Sequence, residues 1–214
     1  MHTPSPQQLK ALKLTVFCAA LLPLLRVVYL GFQDKLGANP IEFVTRASGD
    51  WTLYFLCLTL AITPLRRVTG MSWLLRFRRM LGLYTFFYAC LHFLCFLWFD
   101  HFFDLQEMWR DVLKRPFITM GFAAFVLLLP LAATSPDRIR RRLGRRWAQL
   151  HRTIYLIAVL AILHFWWMRA GKNNFADPLL FGAIVALLLG ARLVFRWRER
   201  QMSRQTGMPG EVGS

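Results

Sequence analysis

The stretch MLGLYTFFYACLHFLCFLWF, residues 80–99, decides the fold of this 214-residue chain. It contains no Asp, Glu, Lys or Arg. An α-helix needs about twenty such apolar residues to cross the hydrocarbon core of a membrane. Similar apolar stretches occur at residues 9–30, 47–65, 117–134, 153–168 and 178–194, and the whole chain is 56% hydrophobic. The sequence therefore predicts an all-α integral membrane protein, a bundle of six transmembrane helices.

The chain has a net charge of +16, and its charged residues are divided unevenly between alternate loops. If residues 1–13 face the cytoplasm, the loops on that side carry 18 lysines and arginines against three acids, whereas the outer loops carry seven cations against eight acids. This asymmetry follows the positive-inside rule and predicts that both termini are cytoplasmic. A nucleic-acid partner is disfavoured, because the cations alternate with the membrane side rather than forming one patch. Anionic lipid headgroups explain them more simply.

The organisation of the chain predicts one membrane domain, residues 1–200, and a flexible cytoplasmic tail, residues 201–214. No cleavage pattern follows the first apolar segment, which is expected to remain as an anchor. No glycine-rich dinucleotide fingerprint or Walker loop occurs, so any electrons must come from elsewhere. All four cysteines lie in apolar segments without metal-site spacing and are expected to be buried small hydrophobes: Cys18, Cys57, Cys90 and Cys95.

Ionisable side chains at membrane depth are costly and usually functional, and three histidines occupy such positions. His92 lies 12 residues into its segment, and His164 follows His151 by 13 residues. At 1.5 Å per residue, His92 and His164 reach a similar depth, about 18 to 20 Å from the cytoplasmic edge. Two level imidazoles on neighbouring helices can bind one haem iron from both faces. Polar packing against a backbone carbonyl is the alternative for either histidine alone.

His151 lies at the inner boundary, where the depth-matched position on the third helix is Arg78. It could bind an inner haem with an unusual second ligand, hydrogen-bond a flavin or quinone, or extend to the interface. The inner arginines set the topology, or bind flavin phosphate or haem propionates. Arg26 could extend to the outer interface or pair with a propionate. His101 is expected to be solvent-accessible, and His2 belongs to the frayed terminus.

The chain resembles the ferric reductase-like transmembrane superfamily over nearly all of residues 9–200. The resemblance rests on the runs RRMLGLYTFFYACLH (78–92) and LGRRWAQLHRTIY (143–155), together with His164. The superfamily typically places two histidines on each of two helices to hold two stacked haems. Arg78 stands where the fourth histidine would be, a feature of the branch that serves bacterial periplasmic methionine sulfoxide reductases.

That resemblance implies an electron-transfer subunit of the bacterial inner membrane, rather than the catalytic sulfoxide reductase itself. It would hold one or two haems b through His92, His164 and His151, with Arg78 as a possible inner contact and FMN as a possible further cofactor. Electrons would come from the quinone pool or a cytoplasmic flavin reductase and pass to a periplasmic molybdenum-containing partner that reduces methionine sulfoxide.

Two other functions stay open at the level of sequence. A stand-alone metalloreductase would release electrons to ferric or cupric ions at the outer face. A transporter of protons or small solutes would use the three histidines as a relay. The second is less favoured, since the chain has no obvious inverted repeat or broken helix of the transporter type.

Overall fold

The computed structural model describes residues 4–171 and 173–206, apart from the side chains of residues 200 and 203–206. Within these residues, all regular structure is helical. The first three α-helices are α1 (Pro6–Phe32), α2 (Pro40–Thr69) and α3 (Leu75–Cys95), and α3 continues into a π-helical turn, Phe96–Asp100. The remaining α-helices are α4 (Leu105–Lys114), α5 (Pro116–Ala133), α6 (Asp137–Leu143), α7 (Arg145–Leu150), α8 (Ile154–Ala170) and α9 (Ala176–Thr206).

Five helical stretches of the described chain are long and apolar enough to cross a membrane. They are Pro6–Phe32, Ser72–Asp100, Pro116–Ala133, Arg145–Ala170 and Ala176–Glu199. Two of them begin at residues that helix chemistry favours. Ser5 and Gln8 form a capping box before α1, and Pro116 is the first residue of α5, where its missing N–H costs nothing. The prediction of an all-helical, multi-pass membrane protein is confirmed.

The predicted segment 47–65 forms the middle of α2, a helix of 30 residues that does not reach the same level of hydropathy. Its apolar part is bounded by Asp50 on one side and by Arg66 and Arg67 on the other. Side chains of α2 contribute to both hydrophobic clusters of the bundle. A helix surrounded by protein needs less apolar surface than one facing lipid, so its polar residues are tolerated.

Two hydrophobic clusters hold the bundle together. The larger one joins α2, α3, α5, α8 and α9 around Leu56, Ile157 and Ala158. The smaller one joins α1 to α2 and α3, and there two buried tyrosines of α3 bind the backbone of α1. The Tyr84 hydroxyl donates to the Phe17 carbonyl at 2.8 Å, and the Tyr88 hydroxyl donates to the Ala20 carbonyl at 2.7 Å.

Four sequence expectations differ from the structure or lie partly outside it. The expected outer loop 100–116 is largely helix α4, and Cys18 is exposed on α1, because an apolar helix at the edge of a bundle directs its side chains toward lipid. Among the other cysteines only Cys95 is fully buried. The expected tail begins within α9, which continues to Thr206, while residues 207–214 and His2 lie outside the described part.

Candidate haem site

Two histidines from different helix pairs face each other in the middle of the bundle. His92 lies near the end of α3, which packs against α2, and His164 lies in α8, which packs against α5. Their ring centroids are 6.1 Å apart, and the ring planes are inclined at 76°. Both rings line the same cavity. The structure therefore brings together the two residues whose spacing predicted a common depth.

The His92 ring is fixed by the backbone of α2. Its Nδ1 lies 2.9 Å from the Thr45 carbonyl oxygen and 3.4 Å from the Ser48 hydroxyl. Because a carbonyl oxygen can only accept, the proton lies on Nδ1, and Nε2 carries the lone pair. This is the arrangement by which proteins orient imidazole as a metal ligand.

The His164 ring is fixed in the same way by α5. Its Nδ1 lies 2.6 Å from the Phe117 carbonyl oxygen, so Nε2 again carries the lone pair. The two contacts share a sequence separation, since each histidine follows its carbonyl partner by 47 residues. The helix pairs α2 with α3 and α5 with α8 thus present two equivalent half-sites to one cavity.

A glycine completes each half-site. Gly49 follows Thr45 by four residues, and Gly121 follows Phe117 by four. In an α-helix the carbonyl of a residue points toward the residue four positions later, so a side chain there would flank the carbonyl. A Cβ at residue 49 would lie 3.0 Å from Cε1 of His92, and one at residue 121 would lie 2.7 Å from Nδ1 of His164. Both rings occupy the space that a side chain would fill.

The cavity between the half-sites has a volume of about 680 Å³, within the range of sites for small molecules and cofactors. The end of the cavity nearer His151, here called its inner end, is lined by apolar side chains that include Leu53, Leu56, Ala89, Ala124, Leu128 and Ile157. Its outer end is polar and is lined by side chains that include Arg46, Asp50, Asp100, His101, Asp111 and Arg169. The histidines lie between the two ends, so the cavity suits an apolar ligand with one polar edge.

The residues present fit a haem. Two imidazoles that share one metal ion at bond lengths of about 2 Å would have ring centroids about 6 Å apart. The observed separation of 6.1 Å agrees with this requirement. Among the described residues no group of three or more His, Cys, Asp and Glu side chains could hold a bare metal ion. His92 and His164 would instead hold the iron of a haem, which would supply one-electron chemistry.

His151 lies apart from this cavity, 13 residues before His164 and about 20 Å away along the chain axis of α8. Its ring stacks on Trp147 with centroids 3.9 Å apart, and its Nδ1 lies 3.1 Å from the Trp147 carbonyl. Arg78 lies near enough for its charge to act on the His151 ring. The structure therefore places His151 and Arg78 together at the inner end of the bundle.

A buried arginine beside that inner region was not identified from the sequence. Arg192 of α9 is 4% exposed and donates to the Tyr155 hydroxyl at 3.0 Å and to the Leu60 carbonyl. Arg196 also donates to Tyr155, at 3.2 Å. These contacts join α2, α8 and α9. The helical spacing of Arg192 and Arg196 was a signal for one shared face, but only the packing identifies their common partner.

The other sequence-selected residues divide clearly. Arg76, Arg145, Arg146 and Arg152 are exposed, as a role in topology requires, and Arg26 is exposed on α1 and does not line the cavity. His101 is the exception. It was expected to be solvent-accessible, but it is 4% exposed because the π-helical turn Phe96–Asp100 and helix α4 enclose it. It lines the cavity that contains His92 and His164.

The chain was compared with known proteins. The family described as "Ferric reductase like transmembrane component" matches residues 48–162. Three relatives share the name "Protein-methionine-sulfoxide reductase heme-binding subunit MsrQ". The protein of Herminiimonas arsenicoxydans is 62% identical over 92% of this chain and 91% of its own length. That of Ralstonia nicotianae is 58% identical, covering 90% and 89%, and that of Xanthomonas campestris pv. campestris is 44% identical, covering 93% of each chain.

No solved structure matches the chain. The family match and the relatives confirm the resemblance that the histidine-containing segments indicated. The match at residues 48–162 includes Gly49, His92 and Gly121 and ends two residues before His164, while the relatives cover about nine-tenths of the chain. The chain belongs to the ferric reductase-like transmembrane family and, within it, to the MsrQ subunits of protein-methionine-sulfoxide reductase systems.

Proposed function

We propose that His92 and His164 bind the iron of one haem b through their Nε2 atoms, and that the chain is a membrane electron-transfer subunit. The observation that carries this proposal is the opposed pair of rings, 6.1 Å apart, each held by a backbone carbonyl. Haem ligated on both sides by histidine transfers single electrons and leaves no open position for oxygen. The names of the relatives, which specify a heme-binding subunit, support the same ligand.

The chain itself supplies orientation and a low dielectric. The hydrogen bonds from Nδ1 to Thr45 and Phe117 raise the basicity of the coordinating nitrogens and prevent rotation of the rings. Apolar side chains line the inner end of the cavity and lower the local dielectric there. Fixed rings and an apolar lining reduce the rearrangement that accompanies a change of one charge.

We extend the proposal to the topology. Helix α2 also spans the membrane, in addition to the five spans above, so that the total is six. Both termini are cytoplasmic, and the membrane is the bacterial inner membrane. The segregation of cations to the loops on one side supports this orientation. The domain comprises residues 1–200 and the tail residues 201–214. His92 and His164 then lie nearer the outer face, where an electron would leave the chain.

The partners are proposed from the relatives' name, which assigns them to methionine sulfoxide reductase. Electrons come from the quinone pool or a cytoplasmic flavin reductase and pass to a periplasmic molybdenum-containing subunit. That subunit repairs oxidised periplasmic proteins. His151, with Arg78 nearby, is the proposed entry site and would hold a second haem or FMN. The Trp147 ring stacked on His151 and the nearby charge of Arg78 suit a planar, anionic cofactor.

The first test is an absorption spectrum of the detergent-purified protein, oxidised and then reduced with dithionite, with haem quantified per chain. We expect a low-spin b-type spectrum. His92→Ala and His164→Ala should each abolish most of the absorbance, whereas His2→Ala is the control and should retain it. His151→Ala should remove one of two haems if it is a ligand. A normal spectrum in both ligand variants would refute the site.

The second test addresses the electron route. The reduced protein is mixed with the purified periplasmic subunit and methionine sulfoxide, and reoxidation of the haem is followed by stopped-flow absorption. We expect reoxidation that requires both additions. Reoxidation by ferric chelates alone, with no response to the subunit, would instead support a metalloreductase. A colourless, stable protein that conducts protons in liposomes would support the transporter function.

A further inference from the structure

The outer end of the haem cavity contains a histidine without a hydrogen-bond partner. His101 is 4% exposed, and neither of its ring nitrogens makes a hydrogen bond within the described residues. The Oδ2 atom of Asp111 lies 3.6 Å from its Nε2 atom, too far for a hydrogen bond. A buried imidazole normally satisfies at least one nitrogen, so this side chain indicates a missing polar partner.

The chain encloses His101 by an unusual backbone path. The π-helical turn Phe96–Asp100 displaces the end of α3, and Phe102 and Phe103 adopt left-handed conformations with φ of 45° and 65°. The Phe96 ring contacts the imidazole edge-on, with centroids 4.6 Å apart. Left-handed bulky residues are strained, and strain of this kind persists where surrounding structure requires it. Here it directs a polar side chain into the cavity.

An arginine on the facing side has the same deficiency. Arg169 follows His164 by five residues on α8, lines the cavity, and has a buried Nε atom without a hydrogen-bond partner in the described chain. Its guanidinium lies over the Phe165 ring at 5.5 Å, and one terminal nitrogen lies 3.4 Å from Asp177. Its side chain is only 16% exposed. The Nε donor of this cavity-lining residue is therefore unpaired.

We propose that His101 and Arg169 bind the propionate carboxylates of the haem and fix the porphyrin with its carboxylate edge toward the outer face. This inference rests on the proposed haem site. A porphyrin is apolar apart from that edge, and the aspartate, glutamate and arginine side chains that line the cavity all belong to its outer end. Carboxylates accept hydrogen bonds from both the imidazole and the guanidinium, and they supply the partners that the two side chains lack. In this proposal, His101 and Arg169 are cofactor-binding residues.

The alternative orientation would direct the carboxylates inward, toward Arg78 and Arg192. Between the histidines and those arginines lies the apolar end of the cavity, and Arg192 already donates to Tyr155 and Leu60. Charged carboxylates in that region would be desolvated without a partner, which is costly. The outer orientation is therefore the one that the lining favours, and the two orientations predict different sensitive residues.

The test uses the haem-loaded protein and resonance Raman spectroscopy, which reports the bending modes of the propionates separately from the iron ligation. We expect Arg169→Met and His101→Leu to shift these modes while the low-spin, two-histidine signature is retained. Arg169→Lys should shift these modes less than Arg169→Met does, because the lysine keeps a positively charged donor. Arg110→Met, an exposed arginine of α4 that does not line the cavity, is the matched control and should leave the spectrum unchanged.

A second measurement separates cofactor binding from folding. Protein produced without haem is titrated with protohaem and with its dimethyl ester, which has no charged carboxylates. Arg169→Met should weaken the binding of protohaem about tenfold, the loss expected for one charge-assisted hydrogen bond, and leave that of the ester unchanged. If His101→Leu fails to fold, His101→Asn replaces it.

Three results would overturn the inference. Equal loss for protohaem and its ester would assign Arg169 a purely structural role. Propionate modes that respond to Arg78→Met or Arg192→Met instead would establish the inward orientation. Unchanged modes in every outer variant would remove both residues from the cofactor. By contrast, a wild-type protein that binds no haem at all would refute the proposed function itself, which the spectrum of the unmodified chain reveals first.

Discussion

Gly121 and His164 are closer together than any residue with a side chain at position 121 would allow. A Cβ there would lie 2.7 Å from Nδ1 and 2.9 Å from Cε1 of the histidine. A glycine inside a helix costs about 0.5–1 kcal/mol relative to alanine, so its presence requires a local reason. The reason is that the imidazole must reach the Phe117 carbonyl across the surface of α5.

The first prediction is that Gly121→Ala removes most of the haem. The added methyl group displaces the imidazole, breaks its hydrogen bond to Phe117 and moves Nε2 away from the iron position. Gly190→Ala on α9 is the control, since nothing lies within 4 Å of a Cβ at that residue. Haem per chain is measured by absorbance after purification. Full haem content with an unchanged spectrum in Gly121→Ala would show that the ring is not confined as described.

The second prediction concerns the matching glycine of the other half-site. Gly49→Ala should be less damaging than Gly121→Ala, because its Cβ would lie 3.0 Å from Cε1 and 3.1 Å from Nδ1 of His92. We expect partial haem occupancy and a shifted midpoint potential. Gly82→Ala is the control, since its nearest contact is a side-chain carbon of Thr59 at 3.7 Å. A redox titration of Gly121→Ala, Gly49→Ala and Gly82→Ala checks that the effects decrease in this order. Equal effects of Gly49→Ala and Gly82→Ala would contradict it.

The third prediction separates the attachment of α1 from the haem site. Tyr88 is 2% exposed, and Tyr88→Phe removes the hydroxyl that donates to the Ala20 carbonyl. The loss should reduce the free energy of unfolding by about 1 kcal/mol and leave the haem spectrum unchanged. Tyr29→Phe, at an exposed position on α1, should have little effect. Thermal unfolding in detergent, followed by circular dichroism, provides the comparison. An altered haem spectrum would contradict the separation.

The fourth prediction concerns the start of α4. The Asp104 carboxylate accepts the N–H groups of Glu107 at 3.0 Å and Gln106 at 2.9 Å, and these bonds hold the pKa of Asp104 below its ordinary value. The stabilisation is therefore present above the ordinary aspartate pKa of about 4 and is lost as the pH falls through the lowered value. Asp104→Ala should remove it at every pH.

The consequence is measurable because α4 contains a tryptic site at Arg110. We expect trypsin to cleave α4 faster in Asp104→Ala than in the wild type at neutral pH. Gln106→Ala is the control, because only its backbone N–H takes part in the cap. Equal cleavage rates in the wild type and Asp104→Ala would show that the cap does not hold the helix.

Much of the fold could be predicted from the sequence because a membrane helix has a fixed rise and a minimum apolar length. The same regularity predicted a common depth for His92 and His164. The carbonyl partners could not be predicted, because they depend on which helices pack together. The repeated separation of 47 residues and the glycines four residues after Thr45 and Phe117 were a readable signal only in hindsight.

The residues that the sequence misjudged share a different cause. His101 follows Asp100 at the end of an apolar stretch, so it was assigned to solvent, but a π-helical turn and α4 enclose it. Cys18 is apolar and was assigned to the interior, but membrane helices also present apolar residues outward. Hydropathy locates a residue along the membrane normal. It does not specify whether the side chain meets lipid or protein, which is why Arg192 was also missed.

The two half-sites also differ in when they are made. The half-site of His92 needs only α2 and α3, and α3 ends at Cys95. The half-site of His164 is complete only when that residue has been made, 72 residues after His92. At a synthesis rate of roughly 5–20 residues per second, His164 is synthesised about 4 to 14 s after His92. During that interval the nascent chain contains only the first of the two imidazoles. At the proposed haem site, binding by both histidines is therefore deferred until the fifth apolar segment of the sequence has been made.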